Sequence, residues 1–201
     1  KLITTTLLTL FILAGSLNAQ DTTDTQGRTL TVQGTPQMKI DGTSNIRDWD
    51  ADITEMDATL VIQDGEELSL EALTPESFKS LEITIPVASI DSDSRGLTNN
   101  IHKYLKEDEH PIITFRLDRI TDIVLENGTA IITAVGVINA AGVDNTAIMN
   151  VTASMNPDGS MNFSGQQELL MTNFEIDPPT AILGTVRADD QFVVLYDVTF
   201  N

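Results

Sequence analysis

The sequence contains no cysteine and few cations. Its 201 residues include 30 Asp and Glu but only 11 Lys and Arg, which gives a formal net charge of −19. Without cysteine the chain forms no disulfide, so packing and hydrogen bonding must stabilise the fold. Because so acidic a surface is repelled by nucleic-acid phosphates and by anionic membrane surfaces, we expect no nucleic-acid partner and no stable membrane insertion.

Long hydrophobic runs are missing except at the start. The opening residues KLITTTLLTLFILAGSLNAQ place Lys1 before an apolar stretch, Leu7 to Leu13, and end in small residues before Gln20. This pattern is typical of a secretory signal peptide, and the stretch is far shorter than the roughly 20 residues that span a bilayer. We therefore expect a signal peptide over 1–19, a periplasmic or secreted protein, a disordered polar lead-in over 20–27 and one domain over 28–201.

Catalytic and metal-binding templates are also missing. The stretch from Ser89 to Phe115 gathers His102 and His110 with several acidic residues, but neither an HExxH spacing nor a cysteine accompanies them. Its Asp-x-Asp pair begins like a calcium loop, yet Arg95 occupies the third ligand position. No G-x-S-x-G elbow and no glycine-rich phosphate loop occurs. The sequence therefore predicts no catalytic residue, no metal site and no cofactor.

Apolar and polar residues alternate with a period of two from Arg28 onward, which predicts strands with one buried face. The clearest segments are Leu81 to Val87, Ile113 to Leu117, Phe192 to Phe200, Met56 to Ile62 and Met149 to Met155. Strands with one buried face and one solvent-exposed face favour antiparallel sheets. We predict an all-β domain of about eight strands, either closed into an antiparallel barrel or stacked as a sandwich.

Three dipeptides predict tight hairpin turns because they readily adopt positive φ angles. They are Asp64-Gly65, Asn127-Gly128 and Asp158-Gly159.

Two segments have helical character. The first, Leu68 to Phe78, is broken by Pro75. In the second, Leu97, Ile101, Tyr104 and Leu105 form an apolar stripe at helical spacing, and Asp93 or Ser94 can cap its start. We predict a short amphipathic helix between two strands, whose apolar face covers the mouth of a barrel.

Several motifs resemble those of the YceI-like family of periplasmic polyisoprenoid-binding proteins. The central signature corresponds here to Ser89-Ile90-Asp91, Tyr104-Leu105, Glu109-His110-Pro111 and Ile113-Thr114-Phe115. DGTSNIRDWDADI from Asp41 resembles the first long strand of the family, and MTNFEI and DDQFVVLYDVTF resemble its last two strands. Two features depart from the family pattern: Arg47 stands where a histidine often precedes Asp-Trp, and NAAGVDNTAI over 139–148 replaces the usual hairpin.

The resemblance implies an extended lipocalin-like barrel that binds, carries or sequesters a polyisoprenoid, prenyl phosphate or isoprenoid quinone, without catalysis. A homodimer is compatible with it. The residues expected to line the cavity or its rim are Trp49, Ile83, Ile85, Leu97, Ile101, Tyr104, Leu105, Phe115, Leu117, Met149, Met155, Phe163, Phe174, Phe192 and Tyr196. Arg95, Lys103 and Lys106 are candidates for contact with a polar head group.

Two other functions stay open at this point. A stress-related or structural secreted barrel would have its interior filled by large side chains such as Phe163, Phe174 and Phe192. A hydrolase or isomerase acting on a lipid would need a buried polar cluster, which the inward positions do not suggest.

Overall fold

The computed structural model describes residues 27–63, 68–181 and 184–201. The expected signal peptide, most of the expected lead-in and the Asp64-Gly65 turn lie outside these residues. The strands within them are β1 (Gly27–Ser44), β2 (Trp49–Ile53), β3 (Asp57–Gln63), β4 (Phe78–Pro86), β5 (Ile90–Asp91), β6 (Ile112–Glu126), β7 (Thr129–Ala140), β8 (Val143–Met155), β9 (Met161–Leu170), β10 (Thr180–Ala181) and β11 (Val186–Phe200). The helix α1 spans Arg95–Tyr104, and single 3-10 turns occur at Leu70–Ala72, Pro75–Ser77, Val87–Ser89 and Met171–Phe174.

The described strands form one antiparallel sheet that closes on itself. Eight of them follow one another around a barrel in the order β1, β3, β4, β6, β7, β8, β9 and β11, and β11 pairs back with β1. The first part of β1 pairs with β3 and its later part with β2, to which β5 is added, while β10 lies beside β11. The prediction of an all-β antiparallel barrel is confirmed, and the sandwich is excluded.

Alternation along the strands separates the two faces of the barrel wall. On β8, Val151 and Met149 face the interior, whereas the neighbouring Ile148 is 67% exposed. The buried residues Leu30, Leu60 and Ile62 come from the paired strands β1 and β3. The inward faces of the strands therefore supply the core, as a period of two requires.

Two of the described hairpin turns place consecutive residues at positive φ angles. Asn127 and Gly128, with φ angles of 50° and 83°, join β6 to β7, and Ala141 and Gly142, with 52° and 83°, join β7 to β8. Two successive positive φ angles are the requirement of a type I′ turn, whose twist matches that of the strands. The turns at Asn127-Gly128 and Asp158-Gly159 were predicted, and both are present.

Only one of the two segments with helical character forms an α-helix. The segment from Leu68 to Phe78 holds only the two 3-10 turns, with Pro75 at the start of the second. The predicted amphipathic helix is α1, and Ser94 occupies its N-cap position without a side-chain cap bond. Leu105, the last residue of the predicted stripe, belongs to the turn that follows α1.

Aromatic rings pack directly against glycines of neighbouring strands. A Cβ added at Gly136 would lie 2.3 Å from Cε2 of Phe115, and one added at Gly165 would lie 2.6 Å from the hydroxyl oxygen of Tyr196. The absence of a side chain at these glycines lets each ring approach the wall closely, an arrangement known to compensate glycine in sheets.

We predict that Gly136→Ala lowers the free energy of unfolding by about 1 to 3 kcal/mol, because the added methyl overpacks against Phe115 and the Arg116 carbonyl. Urea denaturation measures the effect. The double variant Gly136→Ala with Phe115→Leu should recover part of the lost free energy of unfolding. The matched control is Gly96→Ala in α1, where the nearest atom is 3.9 Å away and the same methyl should cost nothing. Equal losses in the two alanine variants would contradict the packing argument.

Candidate functional site

The barrel surrounds an apolar cavity of about 230 Å³. Even an apolar cavity of roughly 150 Å³ can accept a molecule the size of benzene. Its lining comes from strands all around the barrel, including β1, β4, β6, β7, β8, β9 and β11. The space is therefore an axial cavity and not a surface cleft.

Most of the residues expected from sequence to contact a ligand lie on the wall of this cavity. They are Ile83, Ile85, Leu105, Phe115, Leu117, Met149, Phe163, Phe174, Phe192 and Tyr196.

The others lie outside the lining. Trp49 and Tyr104 pack against the cluster that contains Phe174, Ile101 packs against the core around Ile90, and Met155 packs near Leu70. Leu97 is half-buried at the start of α1. Position on one helical stripe does not place a residue at the cavity, because only Leu105, just past the C-terminal end of α1, belongs to the described lining.

Sequence reasoning missed a second group of wall residues. Met38 and Ile40 of β1, with Ile132, Ala134 and Ile138 of β7, line the cavity. In β7 the apolar residues run almost without interruption, so periodicity could not tell the inward face from the outward one. The register with β8, which sets Ala134 opposite Met149, is the signal that identifies that face.

Apolar groups cover both ends of the described barrel. At one end Leu105, Phe174 and Ile176 reach the cavity, with Trp49 and Tyr104 packed behind them. At the other end Leu70 packs with Phe78, Ile132 and Phe163. Leu105 is the residue through which the α1 region reaches the cavity.

The histidines and acids of the central stretch attach α1 and its following turn to the barrel. His102 Nε2 lies 2.8 Å from the Ile90 carbonyl oxygen, and its Nδ1 lies 3.1 Å from Glu107 Oε2. Thr98 Oγ1 donates to Asp91 Oδ1 at 2.7 Å. The His110 ring packs against Gly142, where a Cβ would lie only 2.5 Å from Cε1. These groups therefore have structural partners.

The three candidate head-group cations are placed differently. Arg95 is exposed at the first residue of α1. The Lys103 ammonium lies 5.7 Å from the centroid of the Tyr104 ring, and Lys106 Nζ donates to the Ala141 carbonyl oxygen at 3.4 Å. All three lie around the α1 end of the barrel, outside the cavity lining.

The electrostatic character of the interior is shown by Tyr196. Its ring lines the cavity, and burial raises the pKa of its hydroxyl from 10.0 to about 12 because the phenolate loses solvation. Thr114 and Gln167 are the other polar residues of the described lining. Elsewhere in the described ranges no cluster of three or more His, Asp or Glu could hold a metal ion, and no helix is long and apolar enough to cross a membrane.

We predict that Tyr196 makes stability fall as the pH rises from about 10 to about 12. Its folded-state pKa is raised, so above pH 10 the unfolded chain releases a proton that the folded protein retains. The contribution, fully present below pH 10, should decline by no more than about 1.4 kcal/mol per pH unit. Urea titrations across this range should show a shallower decline in Tyr196→Phe than in Tyr104→Phe. Parallel declines in the two variants would contradict the assignment.

Solved structures with the same fold come from several bacteria. BcnA of Burkholderia cenocepacia is 15% identical with a TM-score of 0.62, and the match covers 82% of this chain and 95% of that one. A polyisoprenoid binding domain from Saccharophagus degradans, implicated in plant cell wall breakdown, is 6% identical with a TM-score of 0.63, covering 86% and 97%. The YceI protein of Campylobacter jejuni is 19% identical with a TM-score of 0.52, covering 74% and 82%.

No curated protein matches the chain. The model of the YceI-like domain, however, matches residues 22–200, nearly the whole sequence. Together with the closed barrel, this match shows that the chain belongs to the YceI-like family.

Proposed function

We propose that this protein is exported and binds a long apolar lipid of the polyisoprenoid class inside its barrel, carrying or sequestering it without a catalytic step. The main support for the proposal is the axial cavity, whose wall is almost wholly hydrocarbon. The name of the Saccharophagus domain, which binds polyisoprenoid, supports this ligand class. Export rests on the signal-peptide pattern over 1–19.

The physical driving force is the transfer of apolar surface out of water. Each methylene removed from water contributes about 0.8 kcal/mol, so several prenyl units within the barrel supply a substantial gain. Part of this gain offsets the loss of chain freedom on binding. Affinity should therefore rise with chain length only until the cavity is full.

A filled structural barrel is the second candidate, and the placement of the phenylalanines argues against it. Phe163 packs edge-on against Phe200, with ring centroids 5.7 Å apart, in a different cluster from Phe174 and Phe192. Phe163 thus lies apart from Phe174 and Phe192, and all three rings line the wall of a cavity that stays open.

A lipid-acting enzyme is the third candidate. Such an enzyme needs a nucleophile or an acid–base pair within reach of the bound chain. The described lining offers only the hydroxyls of Thr114 and Tyr196 and the amide of Gln167, with no carboxylate or histidine to activate them. The lining therefore favours binding over catalysis.

The direct test is extraction of protein purified from its native host, followed by mass spectrometry of the organic phase. We expect an isoprenoid or similar long-chain lipid in stoichiometric amount. If the extract contains no lipid and the purified protein takes up neither isoprenoid quinones nor prenyl phosphates, the proposal is wrong. The N-terminus of the same preparation, read by intact mass, tests export, for which we expect Gln20 to be the first residue.

We predict that Met149→Trp weakens binding of a long isoprenoid probe at least tenfold, because the larger side chain occupies the cavity. The matched control is Ile148→Trp, which places the same ring one residue away on the outer face, where Ile148 is 67% exposed. Binding titrations measure both variants after circular dichroism has established folding. Equal affinities in the two would contradict binding inside the barrel.

We also predict that the α1 end opens to admit the ligand. Leu105→Asp should accelerate lipid release several-fold, because Leu105 reaches the cavity at this end. Leu97→Asp, at the start of the same helix and outside the lining, is the control. Release is followed by transfer of a fluorescent isoprenoid to acceptor vesicles. If the two aspartates have the same effect on release, Leu105 is not part of the entrance.

A further inference from the structure

The described cavity lining stops at the same level on three adjacent strands, toward the end of the barrel opposite α1. The last lining residues in that direction are Ile132 on β7, Val151 on β8 and Phe163 on β9. The next residues on the inward faces of these strands are 0% exposed and lie outside the lining; they are Ala130, Ala153 and Met161. Because a side chain beside open space keeps accessible surface, the cavity ends at this level.

Phe163 supplies the large side chain at this closed end. The strand register sets Phe163 opposite Ala153, and Ala153 opposite Ala130. Two neighbouring alanines fill little of the cross-section of a barrel. The Phe163 side chain packs against the cluster that contains both alanines and also against the cluster that contains Leu60 and Phe200. The ring therefore links the β7 and β8 side of the barrel to the β3 and β11 side.

Neighbouring rings hold Phe163 in this position. Its ring lies edge-on to that of Phe200, with centroids 5.7 Å apart and planes at 84°. Edge-to-face contacts of this kind are favoured between aromatic side chains. Phe78 also packs against both clusters and lines the cavity. A chain that enters the cavity thus meets a supported aromatic ring at the closed end.

We propose that Phe163 is a specificity-determining residue, whose ring limits the length of isoprenoid chain that the barrel can enclose. This inference rests on the proposed lipid-binding function and narrows its ligand class. Each methylene taken out of water favours binding, whereas a unit that finds no room beyond Phe163 stays in water and adds nothing. The apolar end of the chain then lies against Phe163, and its polar end lies toward Leu105 and α1.

The test uses a series of linear prenols from geraniol to solanesol. Dissociation constants are measured by competition against a fluorescent apolar probe. We expect the affinity of the wild-type protein to rise with each prenyl unit up to a limiting length and then to level off. In Phe163→Ala the first prenol beyond that limit should bind at least about tenfold more tightly than the limiting prenol, because its added carbons now leave water.

Two further variants control for the loss of packing. Met155→Ala removes a side chain that packs near Leu70 at the same end but lies outside the cavity lining, so it should keep the wild-type limit. Phe163→Leu, a smaller change, should shift the limit in the same direction as Phe163→Ala and is the variant to measure if the alanine variant does not fold.

The results separate the role of Phe163 from lipid binding itself. If the wild-type protein shows no limiting length, or if the folded Phe163 variants keep its limit, Phe163 does not set the length although lipid binding stands. An equal shift in Met155→Ala also overturns the role of Phe163. Failure of folded wild-type protein to bind any prenol overturns the proposed function and this inference together.

A photo-crosslinking experiment locates the chain end without any variant. The limiting prenol, carrying a diazirine at its apolar end, is irradiated in complex with the wild-type protein, and the modified residue is identified by mass spectrometry. We expect attachment at Phe163 or at its neighbour Phe200. Attachment at Leu105 or Phe174, at the α1 end of the cavity, overturns the assignment.

Discussion

The pairing of β1 with β11 is the interaction on which the rest of the structure depends. These strands come from opposite ends of the described chain, and their register runs from Val32 opposite Phe200 to Ser44 opposite Ala188. Their hydrogen bonds close the sheet and thereby create an interior. A closed antiparallel barrel of eight strands is just wide enough either to be filled by its own side chains or to hold one small ligand. Strand closure permits a cavity, and side-chain size decides whether one remains.

Small residues on the wall help to leave that space open. Gly136 and Gly165 carry no side chain, and the rings of Phe115 and Tyr196 pack against them. Ala134 and Ala140 add little volume on β7. The interior therefore combines large rings with residues that occupy almost no space. The same close approach buries the Tyr196 hydroxyl, which has no hydrogen-bond partner among the described residues.

The central stretch from Ser89 to Phe115 shows how chemical side chains can serve a structural role. His102 joins the Ile90 carbonyl to Glu107, Asp91 accepts a hydrogen bond from Thr98, and His110 packs against the Gly142 turn. That turn belongs to the segment 139–148, which departs from the family pattern, and its Ala141 carbonyl also accepts a bond from Lys106. The helix and the hairpin therefore form one connected cover at this end of the barrel.

The sequence by itself determined the all-β class, segments of β3, β4, β6, β8 and β11, the turns at Asn127-Gly128 and Asp158-Gly159, and the amphipathic helix, because alternation and turn residues are local properties of the chain. It also indicated much of the cavity wall, since Phe115, Met149 and Phe192 lie on clearly alternating segments. It could not assign the inward face of β7, where both faces are apolar, or place Leu97 and Leu105 at different distances from the cavity. Only the tertiary structure decided closure over sandwich packing, the open interior and the unpaired Tyr196 hydroxyl. Each of these depends on the register between strands that are distant in sequence, because the register determines which side chains lie next to one another.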